Sequence, residues 1–156
     1  MEENDKVIRL PNRRPPSVAR FCRKVRLARG NVCENCGAAP EQCQIESHHI
    51  LDYHVFPQYA KDEENIIVVC QRCHPVSRYN SPDLLGESML DHARLKPELR
   101  ERIASYVLRK EPRLSAFAET VRRGEDAATD YFFRRLEMKA PNKALHGTSL
   151  RADHEG

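Results

Sequence analysis

Four of the cysteines, three of the histidines and one of the asparagines in the stretch from Cys33 to His74 form a pattern that suits two kinds of metal chemistry. Cys33-Glu34-Asn35-Cys36 and Cys70-Gln71-Arg72-Cys73 are pairs with the same two-residue gap. Ser47-His48-His49-Ile50 and Asn65 lie between them, and His74 follows the last cysteine. Four thiolates suit a closed tetrahedral zinc site, which holds a fold together and, with every position filled, activates no water. Imidazoles and an amide suit an open site that holds a divalent ion and works on a substrate. The stretch therefore reads as a structural zinc on Cys33, Cys36, Cys70 and Cys73 framing a hydrolytic centre.

Phosphodiester hydrolysis shows what such a centre needs. A water must lose a proton as it attacks phosphorus, and a neutral imidazole can take it. The charge that builds on the phosphate oxygens needs a cation. Two adjacent histidines can divide this work, one on the ion and one on the water, with His74 completing the protein's ligands. The competing reading of the cysteines is four buried thiols, and the matched pairs argue against it. A redox C-x-x-C belongs at the strand-to-helix junction of a βαβ pattern, which this chain lacks. Cys22 is read as a helix core residue and Cys43 as a strand residue, with Cys43 as a substitute zinc ligand in a minor alternative. His92, His146 and His154 are read as ordinary surface or core histidines. His54 lies near the site without an assigned role.

The elements that must position these groups follow from periodicity. Val18, Phe21 or Cys22, Val25 and Ala28 recur at helical steps, which predicts a helix over 18–28 with Ser17 as N-cap and Gly30 as its end. Gln42 to Ile50 reads as a strand carrying His48 and His49, whose alternation sends the two rings to opposite faces. Ile66-Ile67-Val68-Val69 is a β-prone, buried run that returns Cys70 and Cys73 to the first pair. His74 is expected at the start of a short helix with Pro75 in its first turn. Four further helices are predicted, starting near Ser81-Pro82-Asp83, Pro97, Pro112 and Ala127. Phe132 and Leu136 are expected to be the buried positions of the last.

Composition adds location and partners. The chain has 156 residues, 31% charged, with no Trp, so a small core would gain from a metal staple. No apolar run is long enough to span a bilayer, and no membrane partner is expected. The acidic opening, Met1-Glu2-Glu3-Asn4-Asp5, is unlike a secretory signal, so the expected location is the cytoplasm, where cysteines serve metal or stay reduced. Net charge is +3, yet nine Lys or Arg and no acid lie between Lys6 and Cys33. Such a local cationic field is what a phosphate backbone selects, which makes Arg20, Arg23, Lys24 and Arg26 candidate nucleic-acid contacts.

Taken together, Cys33 and Cys36, His48-His49-Ile50, Asn65, Cys70-x-x-Cys73-His74 and the lead-in Ala28-Arg29-Gly30-Asn31-Val32 resemble an HNH endonuclease of the zinc-knuckle type. The resemblance covers about residues 17–80. It implies an α+β fold: a small ββα-metal core with a four-Cys knuckle, a basic helix before it and a helical C-terminal region after it. It implies a metal-dependent endonuclease with DNA as the usual substrate. By position, His48 corresponds to a ligand of the catalytic ion, His49 to the general base and His74 to the closing ligand. Asn65 corresponds to the residue that fixes the loop or touches the metal. The ion implied is Mg²⁺ first, with Mn²⁺, Ni²⁺ or Zn²⁺ as alternatives. Two departures stand out: Pro75 directly follows His74, and Arg78 occupies the place of a second helix histidine and becomes a candidate phosphate contact.

This divides the chain into a flexible basic arm (1–16), the nuclease domain (17–80), a helical region (81–138) that could also hold a protein partner, and a disordered tail (139–156). The alternative reading is a non-catalytic zinc module that binds nucleic acid through its basic helix.

Overall fold

The computed structural model describes residues 14–75 and 85–139. Most of the N-terminal arm, Arg78, the helix start at Ser81-Pro82-Asp83, the expected helix after His74, the tail, His146 and His154 lie outside the described residues. The described chain is mixed α and β: a two-stranded antiparallel sheet and five α-helices. In chain order these are α1 (Pro16–Ala28), β1 (Ile45–His49), β2 (Ile66–Cys70), α2 (Leu85–Ala93), α3 (Pro97–Lys110), α4 (Ser115–Arg123) and α5 (Glu125–Lys139). Among the described residues, no helix is long and apolar enough to cross a membrane.

α1 starts two residues earlier than its apolar period indicates, because Pro16 occupies its first turn and Pro15 caps it without a side-chain bond. Proline there loses no needed N–H. Ser17 is thus inside the helix and not its cap. Val18, Cys22 and Val25 form the buried stripe. Beyond the C-cap Arg29, Gly30 (φ +91°) and Asn31 (φ +55°) turn the chain in the left-handed region towards the first cysteine pair.

β1 is shorter than the expected 42–50, because the N–H groups of Gln42 and Cys43 turn back to the Ala39 carbonyl and cannot join a ladder. The register pairs His49 with Ile66, His48 with Ile67, Ser47 with Val68 and Glu46 with Val69. Cross-strand partners share a face. Ser47 and His49 therefore face α1, where Ser47 Oγ donates to the Cys22 carbonyl (3.1 Å). Glu46 and His48 lie on the opposite side.

α2 to α5 pack on one another and on the sheet. Met89, Leu99, Ile103, Val107, Phe117, Val121 and Ala128 share one core with Ile67, Val68, Val69 and Cys33. The boundary expected at residue 80 does not divide the core. Phe132 is only half-buried and Phe133 is exposed; Ala128 of α5 is buried in the core and Tyr131 packs against it, while the side chain of Leu136 lies outside the described residues. Pro112 opens a short 3-10 turn, and α4 proper begins at Ser115. The long β1–β2 connection is tied to α3: Tyr106 donates to Asp62 (2.8 Å), and Tyr59 donates to Glu111 (2.8 Å).

Candidate metal centre and active site

The first knuckle is built by tight local bonds. Cys33 N–H donates to the Ala38 carbonyl and Gly37 N–H to the Cys33 carbonyl, both at 2.9 Å. Gly37, at φ +81°, makes the turn that closes it. The backbone N–H groups of Asn35 and Cys36 point at Cys33 Sγ (3.4 and 3.3 Å), and Asn35 Nδ2 points at Cys73 Sγ (3.2 Å). β2 delivers the second pair, with Cys73 N–H donating to the Cys70 carbonyl.

As a result the sulfurs of Cys33, Cys36, Cys70 and Cys73 all lie within 4.8 Å of one another. Cys36 and Cys70 sulfurs are 3.7 Å apart, close to the edge of a tetrahedron with metal–sulfur bonds of about 2.3 Å. N–H donors aimed at sulfur favour the thiolate form that a metal needs. Burial pushes the Cys70 thiol up, but bonds from Cys73, Cys36 and Arg72 outweigh it and the net shift is downward. Burial also pushes Cys73, and here the net shift is upward. Sulfurs this close share protons unless a cation sits among them. The cluster can hold a metal such as zinc. Cys43 lies outside it, and Cys22 is a fully buried residue of α1.

The histidines divide as strand alternation requires. His49, on the α1 side, donates from Nε2 to the Ala60 carbonyl (2.9 Å), with Cys22 Sγ 3.9 Å away and the Tyr53 ring beside it. That bond fixes the tautomer and leaves Nδ1 with a lone pair. Burial, then the charge of Arg14, hold His49 below the ordinary imidazole range, although the bond to Ala60 opposes this. Arg14 donates to the Ser47 carbonyl, so the described end of the basic arm reaches the back of the same strand.

Asn65 is fully buried and fixes the loop after β1. Its Oδ1 accepts from Leu51 N–H (2.8 Å), and its Nδ2 donates to the carbonyls of Leu51 (3.0 Å) and Tyr59 (3.1 Å). All its polar atoms face backbone, and none is directed at His48. We predict that Asn65→Ala strands these buried backbone groups and destabilises the fold by about 3 kcal/mol or more, measured by urea unfolding. A loss below about 1 kcal/mol would show that the loop is held otherwise.

On the other face the ring of His48 meets that of His74 edge-on, with centroids 4.8 Å apart. The two expected ion ligands are therefore brought together. His74 donates from Nδ1 to the Pro75 carbonyl (2.8 Å), which leaves a lone pair on Nε2, 3.9 Å from Glu46 Oε1. The side chains of His74 and Glu46 are 27% and 29% exposed, so the cluster opens to solvent on that side. Burial, then the neighbouring His92 and His74, hold His48 well below the ordinary range, and a neutral ring is the form that binds a cation.

One member of this cluster is not foreseeable from motif spacing. His92 on α2 is 2% exposed, and its Nε2 is 2.9 Å from that of His48. A single histidine on an amphipathic helix carries no spacing signal. The available hint is its register with Met89 and Ala93, which puts it on the buried stripe. The remaining expected contacts are distributed along α1. Arg20, Arg23 and Lys24 are exposed, whereas Arg26 is half-buried and donates to Asn31 Oδ1. His54 is tied to Asp52 and lies against the Tyr53 ring, which in turn stands beside His49.

No family model matches the chain, and neither a curated protein nor a solved structure does.

Proposed function

We propose that the protein is a metal-dependent endonuclease that hydrolyses phosphodiester bonds, with DNA as the preferred substrate. The observation that carries this reading is the contact between His48 and His74, two imidazoles separated by 25 residues of chain that meet at the solvent-open side of the sheet. They fit a divalent ion: both rings offer a nitrogen, and one flank is open for water and phosphate. Such an ion supplies Lewis acidity to the phosphate oxygens when bound. His49, oriented by the Ala60 carbonyl, is the proton acceptor in this reading; it lies on the α1 face of β1, opposite His48, so the reading requires the substrate to reach both rings around the end of the strand. Asn65 holds the loop that presents that carbonyl's segment. Structural zinc on the four cysteines clamps the hairpin that carries all three groups.

The exposed cations of α1 meet the phosphate backbone in this reading. Replacing Arg20, Arg23 and Lys24 together by Ala is expected to weaken DNA binding and flatten its salt dependence. The slope of log K against log salt should fall by about 0.9 for each phosphate that these side chains neutralise. An unchanged slope in a fluorescence anisotropy titration would remove α1 from the interface.

A second reading, a non-catalytic zinc module that binds nucleic acid, is favoured by the burial of His48 and His49, at 5% and 6% exposure. Plasmid nicking with Mg²⁺, Mn²⁺ or Ni²⁺, with and without chelator, separates the two. Chelator-sensitive nicking supports the nuclease, and binding without nicking supports the module.

A further inference from the structure

We propose that His92 is a positioning residue for His48: it accepts the Nε2 proton of His48 and so leaves His48 Nδ1 as the bare nitrogen that the site works with. This rests on the reading of His48 as a functional group and assigns which of its two nitrogens is available.

The first observation is the bond between the rings. His48 Nε2 and His92 Nε2 are 2.9 Å apart, and the two residues are 5% and 2% exposed. Burial disfavours a charge on either ring. A neutral imidazole has one N–H and one lone pair, so one ring donates in this bond and the other accepts. The direction decides what His48 can do. If it accepts at Nε2, its proton sits on Nδ1 and that nitrogen is only a donor. If it donates at Nε2, Nδ1 carries a lone pair that can hold a cation or take a proton.

The second observation concerns the nitrogen left over. His48 bonds through Nε2. Among the described residues, no buried side-chain nitrogen or oxygen lacks a hydrogen-bond partner. Nδ1 is therefore not sealed in the core. The open flank of the cluster lies beside His74, the ring in edge contact with His48.

The third observation is how firmly the acceptor is held. α2 buries Met89, His92 and Ala93, and the His92 ring stands edge-on to Phe117 of α4 (5.8 Å, 80°). Just past α2, Lys96 N–H donates to Asn35 Oδ1 (2.8 Å), and Asn35 Nδ2 donates to Cys73 Sγ (3.2 Å). The end of α2 is thus registered against the cysteine pair directly before His74. An outer partner fixed in this way sets the tautomer and orientation of a working imidazole and raises the basicity of its other nitrogen. The helical region then belongs to the site, because a shift of α2 would change which nitrogen of His48 is bare.

The test uses the full-length protein carrying its knuckle zinc. Long-range proton–nitrogen correlation spectra of the imidazoles distinguish protonated from bare ring nitrogens. The signals lost in His48→Gln and in His92→Gln assign the two rings. His48 should show a protonated Nε2 and a bare Nδ1, and His92 a bare Nε2. A bare Nε2 on His48 facing a protonated Nε2 on His92 would overturn the proposal. In His92→Gln the amide oxygen can still accept, so His48 should keep its proton on Nε2 and plasmid nicking should stay near wild type. Loss of that pattern in the Gln variant would count against the proposal. In His92→Leu the acceptor is gone, so His48 should populate both tautomers, and nicking should fall about 10–100-fold while circular dichroism stays native. Wild-type nicking with unchanged His48 signals in the Leu variant would mean that His92 only packs, and would overturn the proposal. If the Leu variant fails to fold, the wild-type and Gln spectra decide. No nicking by wild type with any divalent ion would overturn the nuclease reading, while the ring spectra would still show which histidine donates.

Discussion

Replacing Cys33 by Ser is expected to abolish the cooperative thermal transition or lower its midpoint by roughly 10 °C or more. Zinc bound to a site of this donor type contributes on the order of 10 kcal/mol or more of apparent binding free energy, which becomes folding free energy where the site forms only in the folded chain. A domain's whole stability is about 5–15 kcal/mol. A loss of even about 4 kcal/mol moves the midpoint of a chain this long by roughly 8–16 °C. The location of Cys33 makes the effect global. It is buried in the main core with Val68 and Val69, and its knuckle pairs with β2, where Glu34 N–H donates to the Val68 carbonyl and Val68 N–H to Glu34 Oε1. Glu34 also meets Arg102 of α3, so the knuckle holds the helices as well as the hairpin. Cys43→Ser is the matched control. Cys43 is half-buried and lies outside the sulfur cluster, so its melting curve and zinc content should stay near wild type. Circular dichroism melts and metal analysis of the two variants decide the point, and equal curves would sink the structural role of the metal.

The parts of the fold that were legible are those where local chemistry has few solutions. Two C-x-x-C pairs have little use besides a metal, and Ile66 to Val69 is too short and too β-branched to be anything but a buried strand. Alternation alone put His48 and His49 on opposite faces, and the register with β2 does the same. Helix starts at proline were readable at Pro97, because the ring suits the first turn. Position along an element was harder to read. β1 loses its first residues to a turn on Ala39, and α5 buries the small Ala128 where the larger Phe132 was expected, because its neighbours α2 and α4 approach closely. His92 was illegible for a different reason. Its partner is 44 residues away, and only the packing of α2 against the sheet brings the rings together. The same packing explains why a cut at residue 80 looked natural in composition while the core runs across it.

His49→Ala is expected to reduce cleavage by about 10²–10⁴-fold, the usual contribution of a positioned base, while DNA affinity stays near wild type. The substitution also removes the bond to the Ala60 carbonyl, a buried acceptor whose loss costs about 1–3 kcal/mol. Inactivity of this variant alone could therefore reflect a loosened loop. His49→Gln separates the two effects, since its amide can still donate to Ala60 but cannot act as a base near neutral pH. If the proton transfer matters, both variants lose cleavage, and the Gln variant keeps the wild-type unfolding midpoint. If the loop is what matters, Gln restores activity along with stability. Wild-type nicking by the Ala variant would remove His49 from the chemistry. Any mechanism would then have to use the His48 face alone, which opens to solvent on the side of Glu46 and His74.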